Sequence, residues 1–286
     1  MPSWARFAQS RAEVAGLLGR GGVSRYERWN ALLELLAEQG KLEVEEAAEA
    51  LDVSAATIRR DLDQLARQQM LTRTRGGAVA HSVSYDLPLR YKTARNADAK
   101  QRIGAAVAAL VSPGEVVGLN GGTTTTEVAR ALAVWPEGAE AGAAPGGQVL
   151  TIVTNAVNIA NELTVRPQVK IVLTGGVARP QSYELIGPLA GLVLAELALD
   201  VTVLGVDALD VGHGATAHHE GEASVNRLLA ERARRVVVAA DSSKLGHRAF
   251  ARICGVERIG TLVTDQGIGA ELTAAFEEAG VRVIAV

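Results

Sequence analysis

Val53-Ser54-Ala55-Ala56-Thr57-Ile58-Arg59-Arg60-Asp61-Leu62 carries an apolar stripe along one helical face and hydrogen-bond donors along the other. Ile58 and Leu62, continued by Leu65, recur at helical spacing and predict a buried face. Ser54 stands where it can cap that helix, and Ala56, Thr57, Arg59 and Arg60 flank the stripe. Upstream, Trp29, Leu32, Leu33 and Leu36 predict an amphipathic helix over Arg25–Gln39, ended by Gly40. A short helix is expected over Val44–Leu51, with a tight turn at Asp52-Val53. Downstream, residues 71–80 alternate and then turn on Gly76-Gly77, which predicts a small β-ribbon. Three helices and a ribbon, with a tight turn before the last helix, make a winged helix-turn-helix. In that arrangement the third helix enters the DNA major groove by its N-terminal residues.

Charge supports this reading. From Arg59 to Arg75 there are five arginines (59, 60, 67, 73 and 75) against two acids, Asp61 and Asp63. On a chain of net charge −3 and isoelectric point near 6.0, a local basic patch fits phosphate contact by one face and excludes a uniformly basic coat. Glu43, Glu45, Glu46 and Glu49 make the preceding segment acidic, so it is expected to face away from a duplex. A helical docking module whose arginines are merely solvated is the alternative. The decisive string, followed by Arg73-Thr74-Arg75-Gly76-Gly77-Ala78, resembles the signature of the DeoR family of bacterial transcriptional regulators. The resemblance implies binding to a double-stranded DNA operator through Ser54, Ala56, Thr57, Arg59, Arg60, Arg73 and Arg75.

The 286 residues suffice for two modest domains. With 48% hydrophobic and 21% charged residues the composition is that of a folded protein, and with only 3% aromatics the cores must be built from Ala, Val, Leu and Ile. A single cysteine, Cys254, excludes a disulfide framework and a cysteine-based zinc finger. No apolar run approaches the roughly 18 residues of a membrane span, and the N-terminal stretch does not read as a signal peptide. A cytoplasmic protein with no membrane partner is expected. Residues 1–23 read as a flexible extension, 24–80 as the winged helix-turn-helix, 81–98 as a linker and 99–286 as a second domain. Pro136–Gly147 is Gly, Ala and Pro rich and reads as a surface loop.

The second domain alternates apolar runs with helical segments. Strands are expected at Glu115–Leu119, Leu150–Val153, Lys170–Leu173, Val201–Leu204, Arg235–Ala239, Thr261–Val263 and Val281–Ala285. Helices are expected at Asp98–Val111, Thr125–Ala133, Asn155–Leu163, Pro188–Leu197, Gly221–Ala233 and Gly269–Ala279. Such alternation predicts an α/β fold with a largely parallel sheet, whose ligands bind outside the carboxyl ends of the strands. The residues there are Asn120-Gly121-Gly122-Thr123-Thr124-Thr125, Thr154-Asn155, Thr174-Gly175-Gly176, Gly205-Val206-Asp207 and Asp241-Ser242-Ser243-Lys244. Each alone has a capping explanation; five together point to a site. Gly122-Thr123-Thr124-Thr125 opens a helix and predicts an anion site of backbone N–H groups and hydroxyls. Neither G-x-x-x-x-G-K-[ST] nor G-x-G-x-x-G occurs, so the anion is expected to be a simple phosphate ester, with Lys244 as its charge partner.

The family resemblance runs from about Arg25 to Val286. It implies a C-terminal sugar-phosphate-sensing domain similar in fold to ribose-5-phosphate isomerase and glucosamine-6-phosphate deaminase. Asp86-Leu87-Pro88-Leu89-Arg90, Lys100, Gly122-Thr123-Thr124, Thr154-Asn155, Gly175-Gly176, Gly187 and Asp241-Ser242-Ser243-Lys244 carry it. The family usually has Asp where this chain has Asn120. Ser182-Tyr183-Glu184-Leu185 and the stretch Thr216–Ala223 look most like the N-acetylgalactosamine repressor subgroup.

The function expected is a transcriptional regulator, without cofactor or metal, that works as a homodimer or higher oligomer and answers to a phosphorylated sugar. A sugar-phosphate isomerase or deaminase with an appended DNA-binding arm is the alternative, with Asp207 as its base. Glu222 begins a helix, and either serves the helix dipole or reads a ligand hydroxyl. His213, His218 and His219, with Glu220 and Glu222, are read as a strand-end loop closing over the ligand rather than a metal site, and Cys254 as packing rather than a nucleophile. Gly76-Gly77 is expected to absorb backbone change between the two domains, and Lys244 either meets the ligand or pairs with Asp241.

Overall fold

The computed structural model describes residues 25–67, 70–79, 89, 96–134 and 150–286. The expected N-terminal extension, the Pro136–Gly147 loop and, save for Leu89 and residues 96–98, the linker lie outside the described residues. The chain divides into two compact units between Leu87 and Pro88.

In the first unit, α1 (Arg25–Gln39), α2 (Val44–Ala50) and α3 (Ala55–Arg67) surround a small core, and β1 (Lys41–Glu43), β2 (Thr72–Arg73) and β3 (Gly77–Val79) form an antiparallel sheet in the order β1-β3-β2. Trp29, Leu32, Leu33 and Leu36 from α1 meet Ala47 and Leu51 and the expected stripe of Ile58, Leu62 and Leu65, all buried. Gly40, at φ +71, ends α1. The ribbon has a strand more than expected, since β1 pairs Leu42 with Ala78.

Gly76-Gly77 departs from its expected role. Thr74 N–H donates to Gly77 O at 3.1 Å and Val44 N–H to Gly76 O at 2.9 Å, and a Cβ on Gly77 would lie 1.8 Å from Leu42 O. These glycines permit close strand packing inside the wing. They are not a hinge.

The second unit is built on a parallel sheet of seven strands in the order β15-β14-β12-β9-β4-β5-β6. These are β4 (Val116–Leu119), β5 (Leu150–Thr154), β6 (Val169–Leu173), β9 (Leu199–Leu204), β12 (Ala233–Ala239), β14 (Thr261–Thr264) and β15 (Arg282–Ala285), one for each strand expected. Alternate residues of a strand face opposite sides, and both sides are covered. Val237 and Ala239 join Val117 and Ile152 beneath α4 (Ala97–Ala108), α5 (Thr123–Ala133) and α6 (Val157–Leu163). Val236 and Val238 join Leu199, Leu204 and Leu262 beneath α7 (Pro188–Ala195), α8 (Glu220–Arg232) and α9 (Ala270–Glu278).

Short antiparallel pieces decorate this frame: a hairpin of β7 (Val177–Arg179) and β8 (Glu184–Ile186), and a sheet of β10 (Ala208–Asp210), β11 (Gly214–Ala217) and β13 (Ala251–Cys254). None of the five was expected. Among the described residues no helix is long and apolar enough to cross a membrane.

Candidate functional site

Two sets of residues were expected to carry function, one in each unit. In the first unit Ser54 caps α3 as expected, its Oγ accepting from Thr57 N–H at 3.2 Å. Ala56, Arg59, Arg60 and Arg75 are exposed and Thr57 half-buried. Two arginines differ from expectation. Arg73 is tied into the wing, donating to Asp63 Oδ1 at 2.7 Å and to the carbonyl of Gly77. Arg59 donates to Glu45 Oε1 at 2.8 Å, so the acids of α2 do not stand apart from the recognition helix. Asp61, read as one of two acids diluting the basic patch, is only 2% exposed. It accepts from Trp29 Nε1 at 2.8 Å and Arg28 Nε at 2.5 Å.

In the second unit the parallel register brings the carboxyl ends of the strands to one edge. Leu119 pairs with Thr154, and Thr154 with Leu173. On the other flank Leu119 pairs with Val203, and Val238 with Leu204. The five expected loops therefore share one end of the sheet. Strand order reverses between β4 and β9, the switch point where a parallel sheet opens a crevice. A clasp spans it: Asn120 Nδ2 donates to Gly205 O at 2.9 Å and Gly205 N–H to Asn120 Oδ1 at 2.8 Å.

The loop after β4 turns on Gly122, at φ +141, and opens α5. Thr125 and Thr126 return their hydroxyls to Gly122 O at 3.2 and 2.7 Å. Thr123 is half-buried, and Thr124 and Thr125 are buried. Thr154 Oγ1 accepts from Ala156 N–H at 3.0 Å. Gly175 and Gly176 turn with φ +74 and +128, which favours glycine at both. Lys244 ends a single helical turn over Ser242–Lys244, capped by the buried Asp241, which also accepts from Asn96 Nδ2 at 3.1 Å.

A carboxylate cluster that sequence reasoning missed lies behind the loop. Glu184 on β8 is 3% exposed, accepts from Asn155 Nδ2 at 3.0 Å and is hydrogen-bonded by the backbone of Gly121. A Cβ on Gly121 would fall 2.4 Å from Glu184 Cγ, so the loop rests directly on this side chain. Burial first, then the charges of Glu222 and Asp207, push its carboxyl up to about 8. Glu222 does more than serve the helix dipole, since Arg179 Nη1 donates to its Oε1 at 3.1 Å. Asp207 Oδ2 accepts from His218 N–H at 2.9 Å.

The sequence matches two family models, the DeoR-like helix-turn-helix domain over residues 28–83 and the DeoR C terminal sensor domain over residues 95–266. The chain belongs to the DeoR family. DeoR-family relatives match nearly end to end. A protein of Escherichia coli O157:H7 named for repression of an aga operon is 34% identical, over 91% of this chain and 93% of that one. The glycerol-3-phosphate regulon repressor of Escherichia coli strain K12 is 31% identical, over 85% and 92%. Among solved structures, ribose 5-phosphate isomerase A of Methanocaldococcus jannaschii aligns at TM-score 0.38 and 19% identity, over 52% of this chain and 55% of that one.

The protein is thus a DeoR-family DNA-binding transcriptional regulator. Its departure at Asn120 has a local meaning: both polar atoms of that amide are engaged by Gly205, and an aspartate would offer Gly205 O no donor. Among the remaining candidates, His219 Nδ1 caps α8 by accepting from Gly221 N–H at 3.1 Å, and His213 Nδ1 lies 2.9 Å from Asp210 Oδ1. Burial pushes the Cys254 thiol up to about 11, far from the thiolate a nucleophile needs.

Proposed function

We propose that this DeoR-family protein is a cytoplasmic repressor of carbohydrate-utilisation genes whose DNA affinity is set by a phosphorylated sugar at the strand ends of its second unit. The convergence of five small and hydroxyl-bearing loops on the β4–β9 switch point carries the reading. The phosphate sits on the Gly122–Thr125 turn at the start of α5. Gly175 and Gly176 wall the crevice with Thr154 and Asn155 buried behind them, Asp207 and Glu222 bound it on the acidic side, and Lys244 supplies a positive charge. Asn120 acts by holding the crevice together. A relative named for a glycerol-3-phosphate regulon supports a phosphate ester. The protein works by binding rather than turnover, a reading supported by relatives that are named as repressors. A homodimer or higher oligomer matches the paired half-sites read by helix-turn-helix proteins.

Titration calorimetry with a hexose 6-phosphate panel and the matching free hexoses tests the effector. A phosphate ester should bind at least about tenfold more tightly than its free sugar, a charged partner being worth on the order of 1.5–3 kcal/mol. Lys244→Ala should fold, bind operator and lose the response. Equal affinity for ester and free sugar would sink the phosphate assignment.

At the DNA surface, Arg59 and Arg60 stand in the first turns of α3. Their double alanine variant should bind operator about a hundredfold more weakly, and its salt dependence should be shallower to the extent that either arginine neutralises a phosphate. Glu45→Ala should tighten binding about two- to threefold, because it releases Arg59 from an exposed ion pair that itself adds little stability. Gel-shift titrations of both variants over a range of salt decide this; unchanged affinity in the double variant refutes the assignment.

A further inference from the structure

We infer that anion binding at the Gly122–Thr125 loop is linked to a proton on Glu184, which sits neutral behind the occupied loop and whose ionisation drives the anion out. This rests on the phosphate reading above. Glu184 does not contact the anion. It is a positioning residue: its side chain supports Gly121, and β8 is stitched to the neighbouring strand end through Leu185 N–H to Asn155 O at 2.7 Å and Val157 N–H to Tyr183 O at 2.9 Å.

The charges around Glu184 come from three elements. Glu222 stands on α8, Asp207 follows β9, and Arg179 on β7 addresses Glu222. Asn155 and Gly121 add uncharged hydrogen bonds. Glu184 is thus a sealed carboxyl under two others, and a carboxyl so placed keeps its proton at neutral pH.

Asn155 packs against the same carboxyl. The residue is fully buried and its Oδ1 has no partner, although its Nδ2 donates to Glu184 Oε2. The same Nδ2 donates to Leu185 O at 3.3 Å, so the amide is fixed by two acceptors and meets Glu184 as an uncharged donor. With the proton present no negative charge is buried on Glu184 at this contact. Without it, a buried carboxylate lies directly beneath the loop proposed to hold an anion, where two like charges repel strongly. Linkage follows: an anion that prefers neutral Glu184 holds the proton more tightly, and loses affinity as pH rises past about 8.

Sulfate is a suitable probe because it has no proton to lose in this range. Calorimetric titrations of the intact protein with sulfate and with a hexose 6-phosphate, at about pH 7 and about pH 9.5, should show a loss of affinity of about tenfold or more in the wild type. Glu184→Gln should show the same affinity at both values. Asp207→Asn should keep the fall but move its midpoint to lower pH, because it removes one of the charges that hold the proton in place. Wild-type affinity independent of pH, an equal fall in Glu184→Gln, or an unmoved midpoint in Asp207→Asn each overturns the proton link alone. Failure of both anions to bind at either pH overturns the phosphate reading itself, and the link with it.

Discussion

Asp61→Ala is expected to unfold the N-terminal unit and abolish operator binding, while the melt of the C-terminal unit stays in place. Asp61 is buried in α3 and collects donors from Trp29 and Arg28 of α1. The Arg28 side chain is only 12% exposed. Truncating the carboxylate breaks a largely buried ion pair with Arg28 and removes the acceptor of the Trp29 indole N–H, a change that costs on the order of 3–5 kcal/mol. That is comparable to the whole stability of a domain this small. Asp61→Asn keeps an acceptor for Trp29 but not the ion pair, and should fall between. Circular-dichroism melts with parallel gel shifts read the result, and a wild-type melt of the alanine variant would mean that the buried pair contributes little.

Glu184→Gln should have the opposite sign. The folded protein holds this carboxyl at about 8 against an ordinary 4.5, so it binds a proton more tightly than the unfolded chain does. The stability it contributes is therefore complete below about pH 4.5 and is lost as pH rises toward 8, beyond which the profile levels. Glutamine mimics the protonated form: it carries no charge, and its oxygen can keep the hydrogen bond from the backbone of Gly121. At about pH 5 the two proteins should melt together. At pH 8 and above the variant should be more stable by on the order of 3–5 kcal/mol, about 10 °C in melting temperature. Parallel melting profiles across that range would refute the assignment.

The seven strands of the central sheet were legible to within a residue or two, because strands buried on both faces read as short apolar runs between turn residues. The recognition helix was legible for a similar reason, since Ile58, Leu62 and Leu65 mark its buried face. The short antiparallel strands were not. Val177–Arg179 and Glu184–Ile186 have three residues each, and their pairing is imposed by Gly176 packed on Ile186 and by the end of β5. Asp61 misleads because an acid on a basic helix looks solvent-facing until Arg28, 33 residues earlier, is packed against it. The strand-end loops were legible from composition alone. Glu184 was visible only as part of a subgroup motif, since no local pattern says that Glu222 and Asp207 will crowd it.

The placement of β4 at the centre of the sheet constrains the protein's birth as well as its site. One side of β4 pairs with β5, which follows closely, but the other waits for β9, and the clasped residues Asn120 and Gly205 are 85 positions apart. A ribosome adding about 5–20 residues per second needs on the order of 4–17 s to cover that interval. Throughout it the nascent half-domain exposes an apolar strand with an open edge, the kind of surface on which chains stick to one another. The helix-turn-helix, complete before β4 is made, can already be folded by then. This arrangement leaves the middle of the sheet open until β9 emerges, with β12, β14 and β15 still to add beyond it, and makes that interval one in which a nascent chain needs the shelter of a chaperone.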